Sequence, residues 1–402
     1  MSNVETGHSS GRNAATGSNS RIVLPGCTIG LLGGGQLGRM FALEARRMGY
    51  RVHVFEPQSD SPAGQVSDIG ISAAYTDVNA LQEFARSVDV VTYEFENIPV
   101  SAIDAVAAIV SVAPRGEVLH ICQNREREKV FLRQAGIPCA DFRVVDSPAS
   151  LEVALKEIGG EGVLKTADFG YDGKGQCRIK PGDDAAAAWA SLGAPRGVLE
   201  AWVPFEKELS VVAARSATGE VTAFPVVENI HTHHILDLSV IPARVPEKSI
   251  TAALQTARDV IEALDVVGLL AVEFFLLSDG RVIVNELAPR PHNSGHFSFD
   301  ACVTSQFEQQ LRAVCGLPLG SVDLMRPVAM KNLLGEVWAN GEPDWAVVLS
   351  DPDIKLHLYG KRNPRPGRKM GHLCALAQTN ELALAKVEAA AARLMTRPRS
   401  VT

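Results

Sequence analysis

Two glutamates on neighbouring segments give the clearest chemical signal in this sequence. The dipeptide Asp279-Gly280 separates two runs rich in branched and aromatic residues, which predicts a two-residue hairpin with positive φ at both turn positions. In that register Ser278 faces Arg281, and Glu273 lies directly opposite Glu286. Facing carboxylates repel each other across a ladder, and a divalent cation between them removes the repulsion. Such oxygen ligands suit magnesium that also binds substrate phosphates; the alternative is a solvated polar pair on an exposed face.

A glycine-rich segment in the middle of the chain is the second candidate site. The sequence GYDGKGQ at 170–176 lies between two predicted strands, GVLKT at 162–166 and CRIK at 177–180. Glycines let backbone amides approach a polyphosphate closely, and the ammonium of Lys174 adds a point charge there. Lys165, on the preceding strand, supplies a second cation. The segment therefore predicts a phosphate contact, while an ordinary hairpin loop is the other interpretation.

A glycine-rich turn near the N-terminus has two interpretations. The segment GGGQLG at 33–38 follows an apolar run and precedes a helical pattern, and Glu56 ends the next predicted strand. This spacing matches the fingerprint of dinucleotide-binding proteins, which would favour a nicotinamide-dependent dehydrogenase. The same geometry serves any anion at a helix N-terminus, including a monophosphate. Because no later segment supplies an obvious hydride-transfer constellation, the fingerprint alone is weak support for a dehydrogenase.

The composition favours a soluble cytoplasmic protein. Of the 402 residues, 46% are hydrophobic and 21% are charged, and the net charge of -7 argues against a nucleic-acid binder. No apolar run reaches the length of a membrane span, and the N-terminus lacks a signal-peptide pattern. The seven cysteines are scattered and never in CxxC spacing, so neither a disulfide framework nor a zinc site is expected.

A histidine cluster and a basic run are the remaining polar features of the sequence. His231 and His233 alternate along a predicted strand, a pattern that favours one functional and one exposed histidine. No transition-metal site is expected there with His234, since no carboxylate or cysteine has ligand spacing nearby. The basic run KRNPRPGRK at 361–369 indicates a monophosphate partner in this acidic chain, rather than nucleic acid.

The elements that must position these residues change character along the chain. Residues 28–122 alternate short apolar runs with helical patterns, which predicts a Rossmann-like parallel sheet. Residues 123–320 are rich in strands, and 321–402 contain short strands and an alanine-rich helix. Residues 1–27, rich in Ser, Gly, Asn and Thr, predict a disordered tail. The expected fold class is α/β in the first domain and α+β beyond it.

Eight motifs in order along the chain resemble one family. They are GGGQLGRM (33–40), YEFENIP (93–99), QNREREK (123–129), LKTADFGYDGKGQ (164–176), EAWVPFEKELSV (200–211), NIHTHHIL (229–236), EFFLLSDGRVIVNELAPRPHNSGH (273–296) and LYGKRNPRPGRKMGH (359–372). Together they resemble the N5-carboxyaminoimidazole ribonucleotide synthetases of the ATP-grasp superfamily. The resemblance covers the chain after the tail, and NELAPRPHNSGH together with GYDGKGQ is far more specific than either glycine-rich turn.

The resemblance implies a pre-ATP-grasp domain, a central ATP-grasp domain of two α+β subdomains with ATP between them, and a small C-terminal β-rich domain. It implies magnesium at Glu273 and Glu286, in agreement with the register argument. Glu200 to Val203 would form the adenine hinge. The full set implied for ATP is Arg125, Lys165, Gly170, Tyr171, Asp172, Gly173, Lys174, Gly175, Gln176, Glu200, Ala201, Trp202, Val203, Glu208, His231, Asn285 and Glu286.

The resemblance also implies a ribonucleotide site and a reacting centre. Lys174, Asp172 and Arg290 would lie at the reacting centre, where Asp172 either removes the amine proton or merely orients the substrate. The segment 170–176 would close over the site as a lid. The residues implied for the ribonucleotide are Gly35, Gln36, Leu37, Tyr171, Asp172, His292, Asn293, Lys361 and Arg368.

The activity that the resemblance implies is ATP-dependent carboxylation of 5-aminoimidazole ribonucleotide. Bicarbonate would be activated as carboxyphosphate, in the de novo purine pathway, by a homodimer. A sister ATP-grasp ligase, such as a formate-dependent transformylase or a biotin carboxylase, would share the ATP and magnesium sites and differ at 359–372. A dehydrogenase and a non-catalytic nucleotide sensor are the alternatives from other classes.

Overall fold

The computed structural model describes residues 22–168 and 175–396, with side chains through 394. Its first unit is a parallel sheet with helices, as the alternating pattern predicts. The strand order is β3-β2-β1-β4, so the carboxyl ends of β1 and β4 are adjacent at one edge. The elements are β1 (Thr28–Leu32), α1 (Gln36–Arg47), β2 (Arg51–Phe55), β3 (Ile69–Ile71), α2 (Val78–Arg86), β4 (Val90–Tyr93), α3 (Val100–Ala107) and α4 (Gly116–Cys122).

Residues 22–27 have a defined structure, contrary to what the composition predicts. Residues 1–21 lie outside the described residues, but Val23 and Cys27 pack against the core of the first unit. The Val23 side chain is buried, its backbone N–H donates to the Cys315 carbonyl at 2.9 Å, and its carbonyl accepts from the Tyr50 hydroxyl at 2.8 Å. The prediction of disorder through residue 27 is therefore wrong for these last residues, because one buried valine and two hydrogen bonds outweigh a polar composition.

A small antiparallel sheet forms the second unit, with strand order β5-β8-β6-β7. Helix α6 begins at a capping box in which Ser147 and Ser150 satisfy each other's backbone N–H groups. The elements are α5 (Arg125–Gln134), β5 (Phe142–Val145), α6 (Pro148–Glu157), β6 (Gly162–Thr166), β7 (Gln176–Ile179), α7 (Ala185–Leu192) and β8 (Gly197–Ala201).

A large antiparallel sheet makes up the remainder of the chain. Its order is β14-β13-β9-β11-β12-β15-β17-β16, with β10 paired to β9, so the C-terminal strands continue the central sheet. The elements are β9 (Phe205–Arg215), β10 (Val221–Ala223), β11 (Val227–Thr232), β12 (Ile235–Ile241), α8 (Glu247–Ala263), β13 (Gly268–Leu277), β14 (Val282–Ala288), α9 (Ser298–Ala301), α10 (Gln306–Val314), β15 (Val328–Leu334), α11 (Trp345–Leu349), β16 (Ile354–Leu358), β17 (Lys369–Leu376) and α12 (Asn380–Thr396).

Two apolar clusters hold the large sheet against its neighbours. Val260 and Ile261 of α8 pack on Leu270 and Val272 of β13, and all four are fully buried. Helix α10 belongs to a second cluster, in which Phe307 and Leu311 pack with the core of the first unit. Each fully buried aliphatic side chain contributes roughly 1.5–3 kcal/mol. Among the described residues, no helix combines the length and the apolar character needed to cross a lipid bilayer.

The β13–β14 hairpin differs from its prediction at the turn. The Leu277 N–H donates to the Arg281 carbonyl, and the Gly280 N–H donates to the Leu277 carbonyl, both at 2.9 Å. The loop therefore contains three residues, and only Gly280 has positive φ, at 85°. This is the arrangement of a type I turn followed by a left-handed glycine. The prediction that Ser278 faces Arg281 across a two-residue turn is wrong.

A second irregularity restores the predicted pairing of the glutamates. The register shifts between Glu273 and Phe274, where Phe274 pairs with Val284 and Glu273 pairs with Glu286. Asn285 is the extra residue of this bulge. Because the longer loop and the bulge shift the register in opposite directions, the facing pair of glutamates is confirmed although the turn was not.

A two-residue turn with positive φ occurs instead between β11 and β12. Thr232 pairs with Ile235, and the two residues between them, His233 and His234, have φ of 52° and 65°. The strand ends before His233, so the predicted alternation of His231 and His233 along one strand is wrong. His233 and His234 are exposed turn residues.

Candidate active site

Two buried lysines flank one buried glutamate at the junction of the two antiparallel sheets. Lys165 on β6 lies 3.0 Å from the Glu200 carboxylate on the neighbouring strand β8, and Lys129 of α5 lies 3.4 Å from it. Burial alone would raise the pKa of Glu200, but the two lysines outweigh it and lower the pKa to about 2. The group therefore carries a net positive charge in a dry environment, which suits a polyphosphate.

The predicted adenine segment, Glu200 to Val203, connects the small sheet to the large one. The Trp202 N–H donates to the Glu161 carbonyl at 3.1 Å. The Arg178 guanidinium lies 3.5 Å from the centroid of the Trp202 ring and bonds the Glu161 carboxylate at 2.5 Å. A cation stacked on an aromatic face stabilises its orientation. Glu161 and Arg178 thus stabilise the segment that connects the two sheets.

The facing carboxylates of Glu273 and Glu286 fit a hard divalent cation. The Glu273 Oε1 lies 3.1 Å from the Nε2 of His292, and the Glu286 Oε2 lies 3.3 Å from Arg125. These contacts, within the part of the chain described, involve one oxygen of each carboxylate and offer the other oxygen as a candidate cation ligand. Burial would raise the pKa of Glu273, but His292 outweighs it and lowers the pKa to about 2. Carboxylate oxygens of this kind are the ligands that magnesium prefers.

The predicted ribose contacts lie on strands beside this pair. The Glu208 carboxylate of β9 lies 2.9 Å from the Nδ1 of His231 on β11. Burial opposes protonation of His231, but Glu208 raises its pKa overall. Glu208 pairs with Phe275, two residues along β13 from Glu273. The structure therefore brings Glu208, His231 and the glutamate pair to one end of the large sheet.

Arg290 stands beside a cleft between the first unit and the large sheet. It forms a half-buried ion pair with Glu96. Burial lowers the pKa of Arg290, but Glu96 outweighs this and raises it overall. The cleft is open to solvent and is lined by Glu96, Asn97, Cys122, Gln123, Arg125, Glu128, Ala167, Glu286 and Leu287. The predicted catalytic arginine thus lies next to the predicted phosphate and metal residues.

His292 and Asn293 follow Arg290 but differ in what they offer. The His292 backbone is held at both its N–H and its carbonyl by the side-chain amide of Gln306, and its ring contacts Glu273. The Asn293 side chain is buried and exchanges two hydrogen bonds with Asn332, at 3.1 and 2.8 Å. A substrate contact by the Asn293 amide would therefore have to replace the Asn332 pair. Its substrate role remains a prediction that this geometry does not favour.

Carboxylates of the chain itself fill the first glycine-rich turn. Glu94, at the end of β4, accepts hydrogen bonds from the N–H groups of Gly35 and Gly38 at 2.8 and 3.1 Å, and Glu56 accepts from Gly34 at 2.9 Å. A Cβ at Gly35 would lie 2.7 Å from a Glu94 oxygen, which explains the need for glycine there. The geometry opposes the dinucleotide interpretation, because Glu94 occupies the place of an anion at the helix N-terminus.

The hydrogen bonds of Glu94 also affect the prediction that Gly35, Gln36 and Leu37 bind the ribonucleotide. A phosphate placed on the Gly35 amide would compete with the Glu94 carboxylate. The assignment of these three residues to the ribonucleotide stays a prediction. Any phosphate near this turn must depend more on cationic side chains than on the start of α1.

The loop between β16 and β17 brings such cations to the first unit. The Gly360 carbonyl accepts from Gln65 at 3.0 Å, and Arg39 of α1 bonds the same Gln65 at 3.1 Å. Lys361 follows Gly360 directly and donates to the Lys369 carbonyl at 2.7 Å. Arg368 donates to the Asn363 carbonyl at 2.8 Å. Lys361 therefore lies near α1, as the ribonucleotide prediction requires.

The glycine-rich lid falls mostly outside the described residues. Gly170, Tyr171, Asp172, Gly173 and Lys174 belong to that gap, so their predicted roles have no structural test. Gly175 and Gln176 are described at the closing end of the loop. The Thr166 N–H donates to the Gly175 carbonyl at 2.8 Å, and Gln176 pairs with Lys165. The loop thus begins and ends beside the predicted phosphate lysine.

Sequence reasoning missed several charged residues of the site. Lys129 and Glu128 lie in the quoted motif QNREREK and are almost fully buried. Their spacing from Arg125, three and four positions on a helix, could have revealed that the three share one face. Glu94 and Glu96 lie in the motif YEFENIP. The positive charge of Lys369 contributes to lowering the pKa of Glu273 and opposes the rise in the pKa of His231. No local pattern signals the roles of Glu94, Glu96 and Lys369, since each depends on contacts distant in sequence.

Comparison with known proteins yields three consecutive family matches. A ribonucleotide synthetase preATP-grasp domain matches residues 27–123, an ATP-grasp domain matches 130–307, and a phosphoribosylaminoimidazole carboxylase C-terminal domain matches 328–386. The N5-carboxyaminoimidazole ribonucleotide synthase of Bacillus subtilis is 45% identical over 90% of this chain and 95% of its own. The Brucella melitensis enzyme of that name is 47% identical over 87% and 96%.

The chain belongs to the N5-carboxyaminoimidazole ribonucleotide synthase family. A crystal structure of an ADP complex of a family member superposes with a TM-score of 0.88 at 45% identity, covering 92% of this chain and 98% of that one. The Aspergillus clavatus enzyme, in complex with ADP and 5-aminoimidazole ribonucleotide, superposes with a TM-score of 0.84 at 33% identity, covering 92% and 98%. The family, the ATP-grasp ligase class and the three-part fold are thereby confirmed.

The protonation of Glu128 should make the stability of the metal-free protein depend on pH. Burial raises the pKa of Glu128 from 4.5 to about 8, with Lys129 opposing and Glu286 reinforcing the shift. Because the folded state then binds the proton more tightly, the free energy of unfolding falls as pH rises from about 4.5 to about 8. Glu128→Gln lacks this proton, so its stability relative to wild type should increase over that window, by roughly 1.4 kcal/mol per pKa unit.

Urea denaturation of both proteins without divalent cations, at about pH 5 and about pH 8.5, measures this difference. Lys386→Met, which removes an ion pair with Asp353 on the opposite side of the large sheet, is the control and should show no such trend. A difference between Glu128→Gln and wild type that stays constant with pH would mean that Glu128 is charged in the folded protein.

Proposed function

We propose that this chain carboxylates the amine of 5-aminoimidazole ribonucleotide with bicarbonate while converting ATP to ADP and phosphate. The proposal rests on one observation: the glutamate pair lies close to the group formed by Lys129, Lys165 and Glu200, where the chain passes from one antiparallel sheet to the other. Support comes from relatives that bear the name of this activity and from the related enzyme that binds ADP and the ribonucleotide together.

In this proposal the nucleotide lies between the two sheets. Glu200 to Val203 contact the adenine, and Glu208 holds the ribose with His231 beside it. Lys165 and Arg125 contact the phosphates, and Asn285, whose buried Oδ1 has no hydrogen-bond partner among the described residues, lies near the ribose and the metal pair. Burial lowers the pKa of Lys165, and the neighbouring Glu200 carboxylate opposes this shift. Fixed charges in a dry site stabilise a transferring phosphoryl group without reorganisation.

Magnesium, held by Glu273 and Glu286, would neutralise charge on the phosphate oxygens during transfer. The two carboxylates would hold the cation between them, because their strands place Glu273 opposite Glu286. His292 contacts the Glu273 carboxylate and Arg125 contacts the Glu286 carboxylate, so each carboxylate has a partner on the protein side.

The first chemical step makes bicarbonate an electrophile. A bicarbonate oxygen attacks the γ-phosphorus of ATP, the bond to the bridging oxygen breaks, and ADP leaves with that electron pair. Carboxyphosphate forms, in which phosphate is a good leaving group. The loop 170–176, with Lys174, would exclude water from this labile mixed anhydride.

The second step joins carbon to nitrogen. The exocyclic amine of the ribonucleotide attacks the carboxyl carbon of carboxyphosphate, or carbon dioxide released from it inside the site, and inorganic phosphate leaves. Asp172 takes the amine proton or orients the amine. Arg290 would stabilise the carboxylate oxygens from its place beside the cleft, and Lys361 and Arg368 would hold the 5′-phosphate. The ribonucleotide assignment includes His292 near the reacting centre.

Two further parts of the proposal concern the cellular setting. We expect a cytoplasmic protein, because all seven cysteines are free thiols and a reducing compartment keeps them so. We also expect a homodimer, as the family resemblance implies.

The decisive test is ADP release from ATP and bicarbonate, with and without 5-aminoimidazole ribonucleotide. Strong stimulation by the ribonucleotide, together with an acid-labile carboxylated product, is the expected result. The matched control replaces the ribonucleotide with glycinamide ribonucleotide and bicarbonate with formate. Stimulation by that pair instead would assign the chain to a sister ligase reaction, and no ATP turnover with any acceptor would overturn the proposal.

A further inference from the structure

Strand β14 is the outermost strand of the large sheet, so one of its edges has no neighbouring strand within residues 22–168 and 175–396. Unpaired backbone groups at such an edge need other partners. The Val284 N–H donates to the Pro138 carbonyl at 2.8 Å. Beyond Val284, the bulge at Asn285 interrupts the ladder directly beside Glu286. The ladder with β13 is therefore interrupted next to Glu286, the proposed metal ligand.

Helix α5 covers this part of the edge with side chains from one face. The Lys129 ammonium donates to the Asn285 carbonyl at 2.8 Å. The Glu128 Oε2 accepts from the Leu287 N–H at 2.9 Å. Arg125, one turn earlier on the helix, contacts the Glu286 carboxylate at 3.3 Å. Residues three and four apart lie on the same face of a helix, so consecutive helix turns contact three consecutive residues of the strand.

We propose that Glu128 and Lys129 are positioning residues that fix the Glu286 carboxylate for the divalent cation by holding the backbone on both sides of it. Lys129 fixes the peptide before Glu286, and Glu128 fixes the peptide after it. With both neighbours held, the direction of the Glu286 side chain is set before the cation arrives. Groups that orient a metal ligand contribute strongly to metal affinity. The inference rests on the proposed function through its assignment of Glu286 to the cation.

Burial distinguishes this arrangement from an ordinary surface contact. The Lys129 side chain is fully buried and Glu128 is 2% exposed, although a charged or polar group is costly to bury unless it is well paired. Lys129 also pairs with Glu200 on the small sheet, so it connects the metal strand with the predicted adenine segment. Glu128 instead reaches the strand through the Leu287 N–H.

The experiment compares Lys129→Met and Glu128→Leu with wild type in Mn²⁺ binding. Isothermal calorimetry in the presence of ADP gives the Mn²⁺ dissociation constant without any turnover. Both variants should bind Mn²⁺ at least about tenfold more weakly, the usual effect of removing an orienting group. Glu128→Gln should restore near-wild-type affinity, because its amide oxygen still accepts from the Leu287 N–H. If Lys129→Met does not fold, Glu128→Leu and Glu128→Gln form a sufficient pair.

Arg215→Met is the matched control. Arg215 donates to the Val266 carbonyl at 3.0 Å and pairs with Asp265 at 2.8 Å, as Lys129 does with Asn285 and Glu200, but at the far end of β9. This variant should lose stability in a thermal melt and keep its Mn²⁺ affinity. If Lys129→Met and Glu128→Leu behave like it, the two residues only cover the strand edge and the proposal is overturned.

The metal measurement also separates this inference from the proposed function. If wild type binds Mn²⁺ with ADP but shows no turnover with the ribonucleotide, the proposed reaction fails while the positioning result stands. If wild type binds no Mn²⁺ in the presence of ADP, there is no cation for Glu286 to hold, and the positioning role is overturned whatever the turnover assay gives.

Discussion

Glu286→Gln is expected to lower ATP turnover by about 10²–10³-fold while the protein stays folded. Glutamine keeps an oxygen ligand but removes the negative charge that holds the cation against the phosphates, and preorganised charges of this kind contribute about that factor. Stability should change by less than about 1 kcal/mol, since the Glu286 side chain is 42% exposed and exposed pairs contribute little. Removing its charge also relieves the repulsion with Glu273.

The measurement is ADP release with bicarbonate and ribonucleotide, titrated with Mg²⁺, alongside a thermal melt. Asp279→Asn is the matched control, because Asp279 is an exposed carboxylate in the turn of the same hairpin. It should leave the Mg²⁺ dependence unchanged. Wild-type turnover by Glu286→Gln at all Mg²⁺ concentrations would remove Glu286 from the metal site and leave the facing pair as a structural feature.

The hairpin shows how far periodicity and turn chemistry lead. Alternation and the Asp-Gly signal correctly predict two antiparallel strands and the pairing of Glu273 with Glu286. They do not reveal that the loop has three residues or that Asn285 forms a bulge. Asp-Gly fits both kinds of turn, so the choice depends on packing of the hairpin against β9 and α8. The sequence predicted the contact correctly because two register errors cancel.

The first glycine-rich turn shows a different limit. The sequence correctly predicts a strand, a glycine turn and a helix. The absence of a later hydride-transfer constellation also correctly indicates that the dinucleotide fingerprint is weak support for a dehydrogenase. It cannot show that Glu94, almost sixty residues later, bonds the amides of Gly35 and Gly38. That contact exists because β1 and β4 are neighbours in a parallel sheet, a long-range pairing with no local signal. The same holds for the pairing of Lys129 with Glu200 across two elements.

Lys165→Met is expected to lower kcat/KM for ATP by about 10²–10³-fold, the effect of removing one preorganised charge at a phosphoryl group. The structure adds a second consequence. Lys129 and Lys165 together keep Glu200 ionised, so the variant leaves a buried carboxylate without its nearest ammonium and with Lys129 at 3.4 Å. Removing one partner of a buried pair is strongly destabilising, by about 3–5 kcal/mol. The variant should therefore lose both activity and stability.

The double variant Lys165→Met with Glu200→Gln separates the two effects. Neutralising Glu200 removes the cost of an uncompensated buried charge, so the double variant should regain stability toward wild type. Its kcat/KM should stay low, because the phosphate contact is still missing. Lys180→Met, which alters an exposed lysine just beyond β7, is the control for losing a positive charge on the same sheet. Recovery of turnover in the double variant would show that Lys165 serves only to balance Glu200, and the phosphate role would then pass to Arg125.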